Sequence, residues 1–228
     1  MARRVQVTQA RISLLDVVDR RLEALYHSPR HGNYRDPTTE LFYLLLTLRT
    51  RIHDVRPVMA ALRSRCGHWS NLPSLEKSAL YQILKPLGMW RKRAELLRNV
   101  AGRIQADFGC VSLTALKSMS GQDAVEYLRG LPGVGEKVAR CVALYALDVD
   151  VSPMDVNATR VLSRIGVLPR NISPKAAHLW MDSLTPRNAA CRLHVNCVAH
   201  GKSLCKTQAP LCHACQLSPI CRYERTGS

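Results

Sequence analysis

Leu131-Pro132-Gly133-Val134-Gly135-Glu136-Lys137-Val138-Ala139-Arg140, followed downstream by Ser152-Pro153-Met154-Asp155-Val156-Asn157, is the part of the sequence that decides the rest. Two glycines one residue apart, directly after a proline, let the backbone turn tightly and leave peptide N–H groups unobstructed by side chains. A helix expected from about Glu136 adds its own unpaired N-terminal N–H groups and the positive end of its dipole, so the turn can seat one phosphate. Taken alone, such a turn equally suits a plain helix–helix connection. Lys137 by itself reads as a solvated lysine, and Asp155 as an N-cap for a helix beginning at Val156.

The charge of the whole chain favours the phosphate. Lys and Arg number 33 against 17 Asp and Glu, a net +16 over 228 residues. An excess that large, spread along the chain and not gathered in one tail, points to a polyanionic partner, nucleic acid foremost. A chain of this length buries a substantial core and suits one large or two small domains. Met1-Ala2-Arg3-Arg4 leads into amphipathic sequence, which does not read as a signal peptide, and the longest apolar stretch, Leu41 to Leu46, is far too short to span a membrane. The setting expected is cytoplasmic and reducing, nucleoid-associated in a prokaryote, with no membrane partner.

Helical periodicity runs throughout, and no strand-like alternation of any length occurs, so the fold class expected is all-α. Ile12, Leu15, Val18, Leu22 and Leu25 recur at steps of three or four across residues 8 to 27, before His31-Gly32-Asn33-Tyr34-Arg35-Asp36-Pro37 breaks the pattern. Thr38 or Thr39 can cap a helix containing Leu41 to Leu46, which is apolar nearly all round and so central to the core. Further helices are expected over Val55 to Cys66, from Asn71-Leu72-Pro73-Ser74 toward Leu84, from Ala94 to Phe108, and around Ala124 to Leu128.

Cys205, Cys212, Cys215 and Cys221 follow the spacing C-x6-C-x2-C-x5-C. Four thiolates so close in sequence can close around one cofactor, and in a reducing setting ligation is favoured over disulfides. The donor set suits zinc or an iron–sulfur cluster; spacing rules alone lean slightly to zinc. The other five, Cys66, Cys110, Cys141, Cys191 and Cys197, are expected to act as small buried hydrophobes.

Together, Leu-Pro-Gly-Val-Gly-x-Lys and an Asp that opens the next helix eighteen residues after the Lys resemble the endonuclease III family of helix-hairpin-helix DNA glycosylases. The resemblance extends to the Gly88-Met89-Trp90 turn, to His200-Gly201, and to all four cysteine positions. It implies a [4Fe–4S] cluster on Cys205, Cys212, Cys215 and Cys221. It further implies a six-helix domain with the hairpin at 37–149, inserted into a second helical domain made of 1–36 and 150–228, with Lys137 and Asp155 on opposite walls of a cleft. In the family the hairpin grips the DNA backbone, here through Leu131, Pro132, Gly133, Val134 and Gly135, the Lys forms a Schiff base with the sugar, and the Asp is the essential carboxylate.

That chemistry needs both residue types. An amine can displace a base at C1′ and, as an iminium, promote loss of the 3′ phosphate, which hydroxyl and carboxylate nucleophiles cannot do. Lys137 must be kept deprotonated by burial or by a neighbouring cation such as Arg140, itself also a candidate DNA contact. Asp155 would stabilise the oxocarbenium-like charge and help move protons. Lys202 and Lys206 flank Cys205 on what reads as a short loop suited to phosphate contact.

The sequence departs from the family in two places. Arg49 stands where a Gln usually fills the gap left by the flipped base, and Asp155-Val156-Asn157 lacks the usual His two residues after the Asp. Aromatic residues are few, and Tyr43, Trp69 and Trp90 are the candidates to sandwich an extruded base. The function expected is base excision from damaged duplex DNA, with AP lyase activity, by a monomer. The alternatives are a monofunctional glycosylase in which Asp155 activates water, and a non-catalytic damaged-DNA-binding protein of the same fold.

Overall fold

The computed structural model describes residues 8–29 and 33–226, and Met1-Ala2-Arg3-Arg4, His31 and Gly32 lie outside them. Those residues form helices α1 Gln9–Tyr26, α2 Pro37–Thr47, α3 Ile52–Cys66, α4 Lys77–Leu84, α5 Trp90–Phe108, α6 Gly121–Gly130, α7 Glu136–Ala146, α8 Val156–Ile165, α9 Pro174–Leu184, α10 Ala190–Ser203 and α11 Arg222–Thr226, with no strand among the described residues. The all-α expectation is borne out. No described helix is long and apolar enough to cross a membrane. The chain divides into two compact units, the described residues of Met1–Gly32 with those of Asp150–Ser228, and Asn33–Val149.

The Asn33–Val149 unit contains α2 to α7, six α-helices among the described residues. Leu41 to Leu46 are all 6% exposed or less, so α2 is the central post that the periodicity predicts. Its cap is Asp36 and not Thr38 or Thr39. The Asp36 carboxylate accepts from the Thr39 N–H at 2.7 Å, and Pro37 supplies a first-turn residue that has no N–H to satisfy. Both threonines are instead buried, Thr38 Oγ1 accepting from the Leu113 N–H and Thr39 Oγ1 from the Trp69 indole, each at 2.9 Å.

Two other helix starts differ from expectation. Helix α4 begins at Lys77 because Asn71 and Ser74 spend their side chains elsewhere, on the carbonyls of Cys66 and Asn71. Helix α5 begins at Trp90, directly after Met89 in a left-handed conformation at φ 47°. Helices α6 and α7 then form the hairpin, with the Ser120 hydroxyl accepting from the Asp123 N–H to start α6.

In the other unit Leu15, Val18 and Leu22 of α1 pack with Val161, Leu162 and Ile165 of α8, Met181 of α9, and Leu193 and Cys197 of α10. Each such side chain contributes roughly 1.5–3 kcal/mol on burial. Asp19, nearly buried, is held by the Arg192 guanidinium at 2.5 Å, which ties α1 to α10. Of the five cysteines expected in the interior, Cys66, Cys141 and Cys197 are buried, whereas Cys110 and Cys191 are exposed. Cys110 lies in the turn after the left-handed Gly109 that ends α5, just before Val111 and Leu113 return to the core.

Candidate active site and nucleic-acid interface

The hairpin turn is fastened by its two apolar residues. Leu131 and Val134 are 3% and 7% exposed, and the Val134 N–H closes the turn on the Leu131 carbonyl at 3.2 Å. Their side chains therefore anchor the turn and only their backbone can meet a ligand. Pro132, Gly133 and Gly135 are exposed. Gly133 has φ 68°, a conformation that favours glycine, and a Cβ there would stand 2.6 Å from Leu96 Cδ1, whose side chain would have to move aside. Gly135 is the N-cap of α7, which leaves the first N–H groups of that helix without a capping side chain.

Lys137 is the second residue of α7 and is half-buried. Arg140, expected beside it as a free cation and DNA contact, is instead 6% exposed, with Nε on Glu136 at 2.7 Å. Glu136 also takes Arg129 Nε at 2.8 Å, so Arg140 lies within an ion-paired hairpin base. A second charged group close to Lys137 comes from α2. Glu40 is fully buried and accepts from the Tyr34 N–H at 2.7 Å and from the Asn33 side-chain amide. Burial pushes its carboxyl up to about 7, against the lowering effect of those two donors and of Lys137.

Arg49 projects from the turn between α2 and α3. It is exposed and left-handed, with φ 58°. Beneath it, the 6%-exposed Arg93 of α5 donates to the carbonyls of Leu46, Leu48 and Gly88 and to Thr50 Oγ1. Of the aromatic candidates, Tyr43 is 2% exposed and edge-on to Tyr34, and Trp69 is edge-on to Phe42 with its indole N–H on Thr39. Both are committed to the interior. Trp90 is half-buried.

Asp155 has two jobs for its two oxygens. One accepts from the Ala158 N–H at 2.7 Å and caps α8; the other accepts from the Asn157 side-chain amide at 3.1 Å. Arg160 in turn holds Asn157 Oδ1 at 2.9 Å, the Gly201 carbonyl at 2.8 Å and the Cys205 carbonyl at 2.8 Å. Sequence reasoning missed Arg160, since nothing in the order of residues links it to a carbonyl 45 positions away. Gly201 fits against this group, because a Cβ there would lie 2.8 Å from Asn157 Cβ.

Cys205, Cys212, Cys215 and Cys221 line one pocket of about 390 Å³, together with Arg164, His200 and Leu204. Arg164 Nη1 lies 3.4 Å from Cys205 Sγ, and Cys221 Sγ is 3.5 Å from the Arg164 carbonyl. Burial pushes His200 down to about 4, and this neutral imidazole sits between the Tyr26 hydroxyl at 3.0 Å and Cys215 Sγ at 3.5 Å. Among the described residues no three His, Cys, Asp or Glu side chains converge as they would on one metal ion. Four thiols lining one pocket are a donor set that suits either zinc or an iron–sulfur cluster. Lys202 lies in the last turn of α10, before the first cysteine and not on a loop; Lys206 follows Cys205, and both are exposed.

Residues 43–186 match the HhH-GPD superfamily of base excision DNA repair proteins. The chain belongs to that superfamily. The HhH-GPD match includes Lys137 and Asp155 and ends before the cysteine quartet. The chain is 25% identical over 205 residues to Endonuclease III of Thermotoga maritima, covering 89% of this chain and 91% of that one. It is 26% identical over 172 residues to DNA glycosylase/AP lyase ROS1 of Arabidopsis thaliana, covering 68% of this chain and only 12% of ROS1. A solved covalent endonuclease III–DNA intermediate with an estranged adenine has the same fold, with a TM-score of 0.81 at 19% identity over 97% of this chain and 99% of that one. The endonuclease III-like HhH-GPD fold expected from the hairpin is thus borne out.

Proposed function

We propose that this chain is a DNA glycosylase with associated AP lyase activity, which removes a damaged base from duplex DNA through a Schiff base on Lys137. The observation that carries the reading is the placement of Lys137. It follows the uncapped glycine turn by two residues, half-buried, within the HhH-GPD-matched segment that also holds Asp155. The exposed Gly133 and Gly135 of the turn would offer backbone N–H groups to a phosphate, and Arg49, Lys202 and Lys206 are exposed cations that would reach others. The relatives' names, endonuclease III and a DNA glycosylase/AP lyase, support the same substrate class.

In this reading the Lys137 amine attacks C1′ as the bond to the base breaks, and the base leaves with a proton. The sugar ring opens to the iminium, a C2′ proton is lost, the 3′ C–O bond breaks, and water then frees the lysine. Asp155 stabilises the positive charge at C1′ with the carboxylate that Asn157 and Ala158 hold in place. The four cysteines would hold a [4Fe–4S] cluster whose contribution is to cross-link the tail into a fixed shape. Acting on one extrahelical nucleotide suits a monomer, working on DNA in the cytoplasm or nucleoid.

Borohydride trapping on duplexes that each carry one lesion or a bare abasic site tests the reaction. A covalent adduct lost in Lys137→Gln supports it and identifies the lesion. Base release without any adduct, abolished by Asp155→Asn, would mean Asp-activated water instead; tight binding with neither product would mean a non-catalytic binder. Iron and acid-labile sulfide in the purified protein, lost in Cys212→Ser, test the cluster, whereas zinc alone would overturn it.

A further inference from the structure

Arg93 and Arg140 are the two arginines buried in the Asn33–Val149 unit among the described residues, and their partners differ in kind. Arg140 sits on a carboxylate. Arg93 holds four neutral oxygens: the carbonyls of Leu46 at 3.0 Å, Leu48 at 3.1 Å and Gly88 at 3.1 Å, and Thr50 Oγ1 at 2.6 Å. A buried guanidinium without an anion gains little net stability, so its placement calls for a geometric reason.

The geometry supplies one. Leu48 and Thr50 flank Arg49, Leu46 lies just before them at the end of α2, and the fourth acceptor lies on the turn that carries Met89. Arg49 at φ 58° and Met89 at φ 47° are both non-glycine residues in the left-handed region, a conformation that persists only where the surroundings hold it. Leu48, next to Arg49, is 41% exposed, and Met89 is 53% exposed. A planar fork with five N–H donors reaches all four oxygens, whereas the three donors of a lysine radiate from one nitrogen.

We infer that Arg93 is a positioning residue that locks the Leu46–Thr50 and Gly88–Met89 turns together, so that Arg49 enters the base stack as part of one rigid probe. A side chain that must displace a base is effective only if its own backbone does not yield, and Arg93 removes the freedom to yield. The inference rests on the duplex-binding part of the function proposed above, and it does not require Lys137 to act as a nucleophile.

The test uses the full-length protein and duplexes carrying 2-aminopurine beside a single lesion or abasic site, where unstacking raises fluorescence. Arg93→Lys and the milder Thr50→Val, which removes one acceptor without changing bulk, should each reduce the rise by roughly three- to tenfold, as expected for loss of charge-assisted hydrogen bonds. Arg49→Ala should reduce it similarly. Combining Arg49→Ala with either substitution should add nothing, because Arg93 acts through Arg49. Effects that multiply, a full rise with a lowered melting temperature, or no rise in the unaltered protein would each overturn the inference. If Arg93→Lys does not fold, Thr50→Val decides by the same criteria. Loss of the borohydride adduct with the fluorescence cycle intact would overturn only the lyase reading.

Discussion

The side-chain amide of Asn157 donates to the carboxylate oxygen of Asp155 that is not used to cap α8, at 3.1 Å, and is itself held by Arg160 at 2.9 Å. Asn157 is also the residue that stands in place of the family's usual His, so the departure leaves the carboxylate with a partner. Asn157→Ala is expected to slow base release by roughly tenfold, the worth of one hydrogen bond to a charged group, with little change in DNA affinity. Single-turnover rates set beside binding titrations check this; a loss confined to affinity would remove Asn157 from the chemistry.

Glu40 sets a pH dependence of stability. Its folded carboxyl releases its proton at about 7, chiefly because it is buried, against an ordinary 4.5. Between those values the unfolded chain is already ionised while the folded one is not. Stability should therefore fall as pH rises through this window, by roughly 3 kcal/mol at most, and level off above it. Glu40→Gln, which keeps an acceptor for the Tyr34 N–H, should flatten that slope and raise the melting temperature at pH 8. Melting curves from pH 4.5 to 8 read the difference.

Salt should weaken duplex binding with a log–log slope of about −0.9 per phosphate neutralised. Lys206 is exposed, and the carbonyl beside its side chain is fixed by Arg164 at 2.6 Å. Lys206→Gln should reduce the slope by about 0.9 without altering which lesion is preferred. A slope unchanged in the variant would show that Lys206 faces solvent in the complex.

Asp36→Ala should cost about 1 kcal/mol, since α2 loses the cap that holds the Thr39 N–H at 2.7 Å. In a chain of this size that lowers the melting temperature by roughly 2–4 °C. Asp36→Asn should recover most of it, and calorimetry distinguishes the two.

Local signals in the sequence explain much of this structure. The glycine turn, the start of α7 and the capping of α8 by Asp155 follow from backbone chemistry within a few residues. The apolar run from Leu41 to Leu46 lies at the core because no face of that helix could have met water. What could not be read is long-range partnership. Arg93 and Arg160 look like any other arginines in a basic chain, and their roles come from carbonyls on distant segments, which carry no sequence signal. Arg140 differs from these: its pairing with Glu136 four residues earlier on the same helix is a local signal, and it takes up the charge that spacing alone brings near Lys137. The packing of Trp69 on Phe42 is again long-range, whereas the burial of Tyr43 follows from its place in the apolar run.

Asp155 caps α8 with one oxygen, while the other, which accepts from Asn157, is the one the proposed chemistry would use. Asparagine caps helices about as well as aspartate. Replacing that carboxylate by its amide would thus keep the helix cap while removing the charge and the acceptor for Asn157. In evolutionary terms, the proposed chemistry would separate an enzyme built this way from a silent relative that merely recognises DNA by one oxygen-for-nitrogen exchange, a step short enough to be taken, and reversed, without passing through an unfolded ancestor.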